Sequence, residues 1–155
     1  MIRQNILDNL RTDLLTIDGT GNYTNTISKA FKDLKFVGDL ADSEFDSCYI
    51  GAGRESITVM GDRVRKCELP IFGLIYFKIN TDTLNAGTLE TKAETIIEDL
   101  FTLNESWSNA IASLDVDSKK CVESIEIVNI QPYINTGFPK RGEIEFELRT
   151  IYYRS

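Results

Sequence analysis

Two periods of hydrophobic residues divide the chain. Ile2, Ile6, Leu10 and Leu14, with Leu7 and Ile17 alongside, recur at helical spacing and predict an amphipathic helix over residues 2–16. Leu89, Ala93, Ile96, Ile97, Leu100 and Leu103 predict a second helix, with Glu90, Glu94, Glu98 and Asp99 mostly on its wet side. Its start falls at Thr88, or at Thr91, which has capping-box spacing to Glu94. The stretches YTNTISKAF, CYIGAG, ESITVM, CELPIFGLIYFKI, CVESIEIVNIQPYI and EIEFELRTIYY carry the alternation and β-branched content of strands. Turns interrupt them: IDGTGNYT, where Gly19 and Gly21 end the first helix, then GDRVRK, NTDTLNAGT and NTGFPKRG. KFVGDLADSEFDS, which holds Asp39, Asp42, Glu44 and Asp46, reads as an exposed acidic loop, and NESWSNAIASLDVDSKK has no clear period. The order is helix, strands, helix, two strands, without regular β-α alternation. That pattern predicts an α+β fold, with a largely antiparallel or mixed twisted β-sheet and two amphipathic helices packed on one face. Residues 1–155 read as a single domain.

The long strand at residues 67–79 is unusual. Its odd positions, Cys67, Leu69, Ile71, Gly73, Ile75, Phe77 and Ile79, form one apolar row. The other row, Glu68, Pro70, Phe72, Leu74, Tyr76 and Lys78, is polar only at its ends. At about 3.3 Å per residue, such a strand spans a globule of this length, whose radius of gyration is about 15 Å. It therefore either bends, with Gly73 as the natural bulge, or runs past its own core. Two helices on one face leave Phe72, Leu74 and Tyr76 as a candidate self-association interface. The competing reading covers them with residues 106–120 or with the sheet's own curl.

Composition acts mainly by exclusion. The longest uncharged apolar stretch, residues 69–77, is far short of the roughly 20 residues that cross a membrane. MIRQNILDNL, with Arg3 and Asp8 in its apolar pattern, lacks the form of a signal peptide, so a soluble protein made in the cytoplasm is expected, without a membrane partner. Seventeen basic against twenty-four acidic residues give a net charge of −7, which disfavours a surface that grips nucleic acid. RVRK, with Arg63, Arg65 and Lys66, is the one basic cluster and reads first as a solvated turn. Cys48, Cys67 and Cys121 have neither disulfide nor zinc spacing and read as small buried hydrophobes.

The chain has no histidine, which removes the commonest general base, the usual nucleophilic triads and most zinc sites. IGAGRES and DGTG lack the third glycine or the lysine of phosphate-binding loops. Asp115, Asp117 and Glu126 match calcium-loop positions, but Lys119 and Lys120 stand where a ligand and the turn glycine belong. Glu98 and Asp99 point in different directions on a helix and read as surface charges. No catalytic residue, cofactor, metal or small-molecule substrate is expected, and the chain does not read as an enzyme. Glu143, Glu145 and Glu147 alternate with Ile144, Phe146 and Leu148. They form either a solvated outer face or an acidic surface that repels something anionic.

The leading helix, LTIDGTGNYTNTISKAF, CYIGAGRE, KCELPIFGLIYFKI, ETIIEDLFTL, VESIEIVNIQPYI and GEIEFELRTIYY together resemble the tail terminator (tail completion) proteins of long-tailed bacteriophages. The likeness spans nearly the whole chain and lies in the pattern of elements, parts of which neck and other completion proteins share. It implies a structural virion protein that forms a homohexameric ring, caps the tail tube, stops its elongation and presents a surface for head–tail joining. The implied partners are the tail tube ring and a head-completion or connector protein, with genome DNA passing non-specifically. The implied location is the head-proximal end of the tail, after assembly in the host cytoplasm. In such a ring Glu143, Glu145 and Glu147 line the bore or lie outside it. Asp39, Asp42, Glu44 and Asp46 and the basic Arg63, Arg65 and Lys66 pair across the subunit interface or dock on neighbouring rings. A head-side neck protein is the near alternative. A small-ligand binding module, with Trp107 and Tyr133 lining a pocket, is the alternative from another class.

Overall fold

In the computed structural model, which describes residues 2–79, 86–107, 115–116, 119–120, 122–134 and 140–154, both predicted helices form. They are α1 (Ile2–Leu14) and α2 (Ala86–Asn104). The strands are β1 (Lys29–Phe31), β2 (Ser47–Ala52), β3 (Ser56–Gly61), β4 (Val64–Lys78), β5 (Asp115–Val116), β6 (Lys119–Lys120), β7 (Val122–Tyr133) and β8 (Arg141–Arg154). The main sheet has the order β1-β2-β4-β8-β7, and β3 pairs with the start of β4. Only β1 and β2 run parallel; the other pairs in this sheet are antiparallel. β5 and β6 make a separate two-stranded ribbon.

Both helices cover the same face, the odd-numbered row of β4. Ile6, Leu10 and Leu14 of α1 and Leu89, Ile96 and Leu100 of α2 pack with Leu69, Ile71, Ile75 and Phe77 of β4 and Ile144, Phe146 and Leu148 of β8. The fold is thus α+β, with two helices over a mixed, mostly antiparallel open sheet. Cys48 and Cys67 lie buried and unpaired in this core. Burial pushes the Cys48 thiol up to about 12, so it stays protonated. Cys121 lies outside the described residues.

Gly73 makes no bulge. The ladder between β4 and β8 runs unbroken from Arg65↔Arg154 to Lys78↔Arg141 and pairs Gly73 with Phe146. A Cβ at Gly73 would fall 2.1 Å from Phe146 Cζ, so the missing side chain is the seat of that ring. Gly142, opposite Phe77, seats the Phe77 ring in the same way. The irregularity falls at Pro70 on the other edge of β4. Gly53 N donates to Pro70 O at 2.8 Å, and in a strand a residue's N–H and C=O point to the same side. Pro70 therefore lacks a donor toward the β2–β3 edge, where the pairing lapses between Ala52 and Ser56.

The predicted strand YTNTISKAF shrinks to the three residues of β1, because other groups take its backbone donors. Thr24 N and Asn25 N both donate to the Asp99 carboxylate at 2.9 Å, and Asn25 Nδ2 adds a third bond at 2.9 Å. Asp99 is only 2% exposed, so it is a buried clamp on this loop and not a surface charge. Trp107 is also buried, donating from Nε1 to Asn104 Oδ1 at 3.0 Å. The same oxygen accepts from Ile127 N beside the β7 bulge.

Candidate assembly surface

The even-numbered row of β4 and the glutamate row of β8 prove to be neighbours. The register pairs Phe72 with Glu147, Leu74 with Glu145 and Tyr76 with Glu143, so both candidate groups share the sheet face turned away from the helices. Their exposure differs along the row. Tyr76 is fully buried beneath Phe31, Val37 and Leu40, with Phe45, Tyr49 and the partly buried Leu74 packed alongside. Its ring meets Phe31 edge to face at 6.3 Å, and its hydroxyl donates to Lys35 O at 2.6 Å. Burial pushes the phenol up to about 12, so it is neutral at physiological pH. Tyr76 is therefore closed off from any neighbouring subunit by its own chain. The cover that is seen comes from Phe31, Val37 and Leu40, while most of the alternative cover, residues 106–120, lies outside the described residues. Phe72, 44% exposed, is the open part of the row.

The cover is the stretch expected to be an exposed acidic loop. Its two short 3₁₀ turns, Val37–Asp39 and Asp42–Glu44, turn Val37 and Leu40 inward and leave Asp39 and Asp42 exposed. Three of its four acids bind within the chain. Asp42 meets Arg141 at 3.2 Å and Lys78 at 3.6 Å, and the Arg141 hydrogen bond, helped by Lys78, holds its carboxyl below the usual range. Glu44 accepts from Ala41 N at 2.9 Å and faces Lys29 at 3.4 Å; the Ala41 bond contributes most to lowering its pKa. Asp46 pairs with Lys92 at 2.9 Å. These partners sit at the Lys78 end of β4, whereas Arg63, Arg65 and Lys66 sit at its beginning, roughly 40 Å away along the strand. The acidic loop and the basic cluster are not brought together.

The basic cluster belongs to a hairpin that leaves the core. Every residue of β3 is exposed, on both faces of the ribbon, because neither helix reaches over it. Ile57, Val59, Met60 and Val64 are 55%, 73%, 58% and 41% exposed. Arg63, at φ 63°, closes the turn between β3 and β4 in the left-handed region. Arg54, Arg63, Arg65 and Lys66 form no ion pair among the described residues, while Glu55 is held by Arg154 at 3.3 Å. Four large apolar side chains and three cations without an ion pair among the described residues thus share one end of the sheet, where β4 pairs with β8 only as far as Arg65↔Arg154. In sequence its apolar residues look like those of any strand, and the cluster like a solvated turn.

Glu143, Glu145 and Glu147 likewise form no ion pair among the described residues. Partial burial, and then the charge of Glu145, raise the Glu143 pKa. Tyr133, across from Glu143 in the β7–β8 register, is raised as well, chiefly by Glu145. Arg149, further along the same face, is engaged by Glu68 and Glu126, each at 3.8 Å. Trp107 and Tyr133, the lining of the alternative ligand-pocket reading, are not brought together: Trp107 is in the core beneath the helices, and Tyr133 is 44% exposed on the opposite face. Among the described residues no group of three or more His, Cys, Asp or Glu side chains is placed to hold a metal ion. No helix among them is long and apolar enough to cross a membrane.

No protein-family model matches the sequence, and no curated protein matches it. Among solved structures, a chain of the "Virion of native gene transfer agent (GTA) particle" aligns over 97% of this chain and 93% of that chain, at 11% identity and a TM-score of 0.44. A likeness of that size carries nothing about function, which has to be read from the chain's own surfaces.

Proposed function

We propose that this chain is a structural, non-enzymatic virion protein of the tail terminator type. Six copies form a ring that caps the tail tube, stops its elongation and offers a surface for head joining. The observation that carries the reading is the arm: a hairpin with Ile57, Val59, Met60 and Val64 uncovered and with Arg63, Arg65 and Lys66 in no ion pair among the described residues, placed well away from an acidic row that forms none there either. A ring subunit needs two different patches that meet head to tail, and exposed apolar side chains in contiguous groups mark such contacts. The order of elements, which resembles the tail terminator family over nearly the whole chain, supplies the specific role.

In that role the tail tube ring and a head-side connector protein are the partners above and below, and DNA passes without being held. A chain of net charge −7 suits this, because repeated copies build an anionic bore that repels phosphates. Glu143, Glu145 and Glu147 serve that bore or the subunit contact. Purified protein mixed with tail tube subunits and imaged by electron microscopy should appear as a single cap at one end of each tube, with tube growth arrested. Tubes that elongate unchanged and carry no cap would refute the reading. Binding confined to portal-proximal rings would assign the chain to the neck instead.

A further inference from the structure

We propose that the β3–β4 arm of one copy lies on the outer sheet face of the next. In this contact Arg63 and Arg65 face Glu145 and Glu147, Ile57 and Val59 on Arg65's side of the ribbon rest on Phe72, and Lys66, on the other side, adds only to the arm's positive field. The proposal deepens the ring reading and depends on it, since it names the two patches that the ring brings together.

Both halves are visible on one chain, and among the described residues neither forms an ion pair there. The arm presents unpaired cations among exposed apolar residues. The outer face presents Glu147 directly across the strand pair from the half-exposed Phe72, with Glu145 beside it at the Tyr133 hydroxyl, and neither carboxylate is in an ion pair among the described residues. They cannot meet within one copy. Arg65 and Phe72 lie on the same strand, about 23 Å apart at the rise of a β-strand, and the unbroken ladder with β8 keeps that strand from folding back. The arm's other carboxylates do not cancel its charge, because Glu55 is already bound to Arg154 and Asp62 is a single residue at the turn. Burial first, and the neighbouring Glu145 charge second, raise the Glu143 pKa, and an arriving cation offsets the second cause. Arm and face are different surfaces, so the contact is heterologous and repeats from copy to copy until it closes. The apolar groups carry most of the affinity, and the charges fix which surface the arm accepts.

A charge exchange tests the pairing. One variant carries Arg63→Glu, Arg65→Glu and Lys66→Glu; a second carries Glu145→Lys and Glu147→Lys; a third combines all five. Circular dichroism confirms the fold, and light scattering reads the mass. Each single-surface variant should need at least tenfold more protein than wild type to reach half-assembly. An equimolar mixture of the two should assemble again, because each arm then meets an opposite face, and the five-fold variant should assemble alone. Variants that assemble like wild type, or a mixture that stays dissociated beside an assembled wild type, overturn the arm-on-face contact alone. A wild-type protein that is monomeric at every concentration overturns the ring reading, and this proposal with it. If either single-surface variant fails to fold, Val59→Ser and Phe72→Ser replace the charge changes. Each should then weaken assembly at least tenfold, and no effect from either would sink the contact.

Discussion

Gly73→Ala is the sharpest test of how the sheet is packed. The added methyl would sit 2.1, 2.5 and 2.6 Å from Cζ, Cε1 and Cε2 of Phe146. That ring is 1% exposed, closed in by β4 below and the helices above. It has no free direction in which to retreat, so the substitution overpacks the core at a cost of about 1–3 kcal/mol. Replacing glycine within a strand returns about 0.5–1 kcal/mol through a less flexible unfolded chain. Because the ring is closed in, the overpacking cost lies at the upper end, about 2–3 kcal/mol, and the net loss of about 1–2.5 kcal/mol lowers the urea midpoint by about 0.5–1.3 M and the melting temperature by about 3–8 °C. Urea titrations at one fixed protein concentration measure it, because self-association adds to apparent stability. In a Phe146→Leu background the ring is gone, and Gly73→Ala should then cost less than about 0.5 kcal/mol, giving a coupling of about 1 kcal/mol. A Gly73→Ala variant as stable as wild type would refute the seat and restore Gly73 as a free, bulge-forming position.

Asp99→Ala removes the acceptor of three hydrogen bonds from Thr24 and Asn25; it should cost about 3 kcal/mol in urea unfolding and speed amide exchange at those two residues. Thr150 is fully buried and its hydroxyl has no partner among the described residues, so the isosteric Thr150→Val should raise stability by about 1 kcal/mol. Glu143 has a raised pKa, chiefly from burial; the folded state therefore holds its proton longer than the unfolded chain, and stability falls as pH rises from the ordinary value of 4.5 through the raised one. Glu143→Gln should accordingly raise the melting temperature at pH 7, with the gain shrinking as the buffer approaches pH 4. An equal gain at both pH values would show that ionisation is not its cause.

Much of the architecture is legible from periodicity, because hydrophobic spacing reports which side of an element is dry. Both helices, the long strand and the closing strand pair follow from it, and so does the α+β class. What escapes depends on contacts distant in the chain. Asp99 sits beside Glu98 on a helix and looks equally wet; its burial comes from Thr24 and Asn25, more than seventy residues earlier. The role of Gly73 appears only once the register sets Phe146 opposite it. Val37, Leu40 and Phe45 follow no helical or strand period, since they are turned inward by 3₁₀ turns and extended links, so their acidic neighbours dominate the pattern. The surface is harder still. An apolar row such as Phe72, Leu74 and Tyr76 announces that something covers it, without saying whether the cover is the same chain or another. The residues of β3 look like any strand's, and only the position of the helices reveals that nothing lies over them.

The place of β8 in the sheet also sets the order in which a newly made copy becomes whole. β8 is the last of the described strands along the chain, yet it lies between β4 and β7, so during synthesis β4 waits with one edge bare while the ribosome works through the second helix and β7. The hairpin that carries Arg63 and Arg65 emerges early; the glutamates at 143, 145 and 147 come with β8 itself. On the proposed arm-on-face contact, a half-translated subunit owns the plug before it owns the socket, and polysome-bound copies would have nowhere to lodge on one another until translation of β8 supplies the receiving surface.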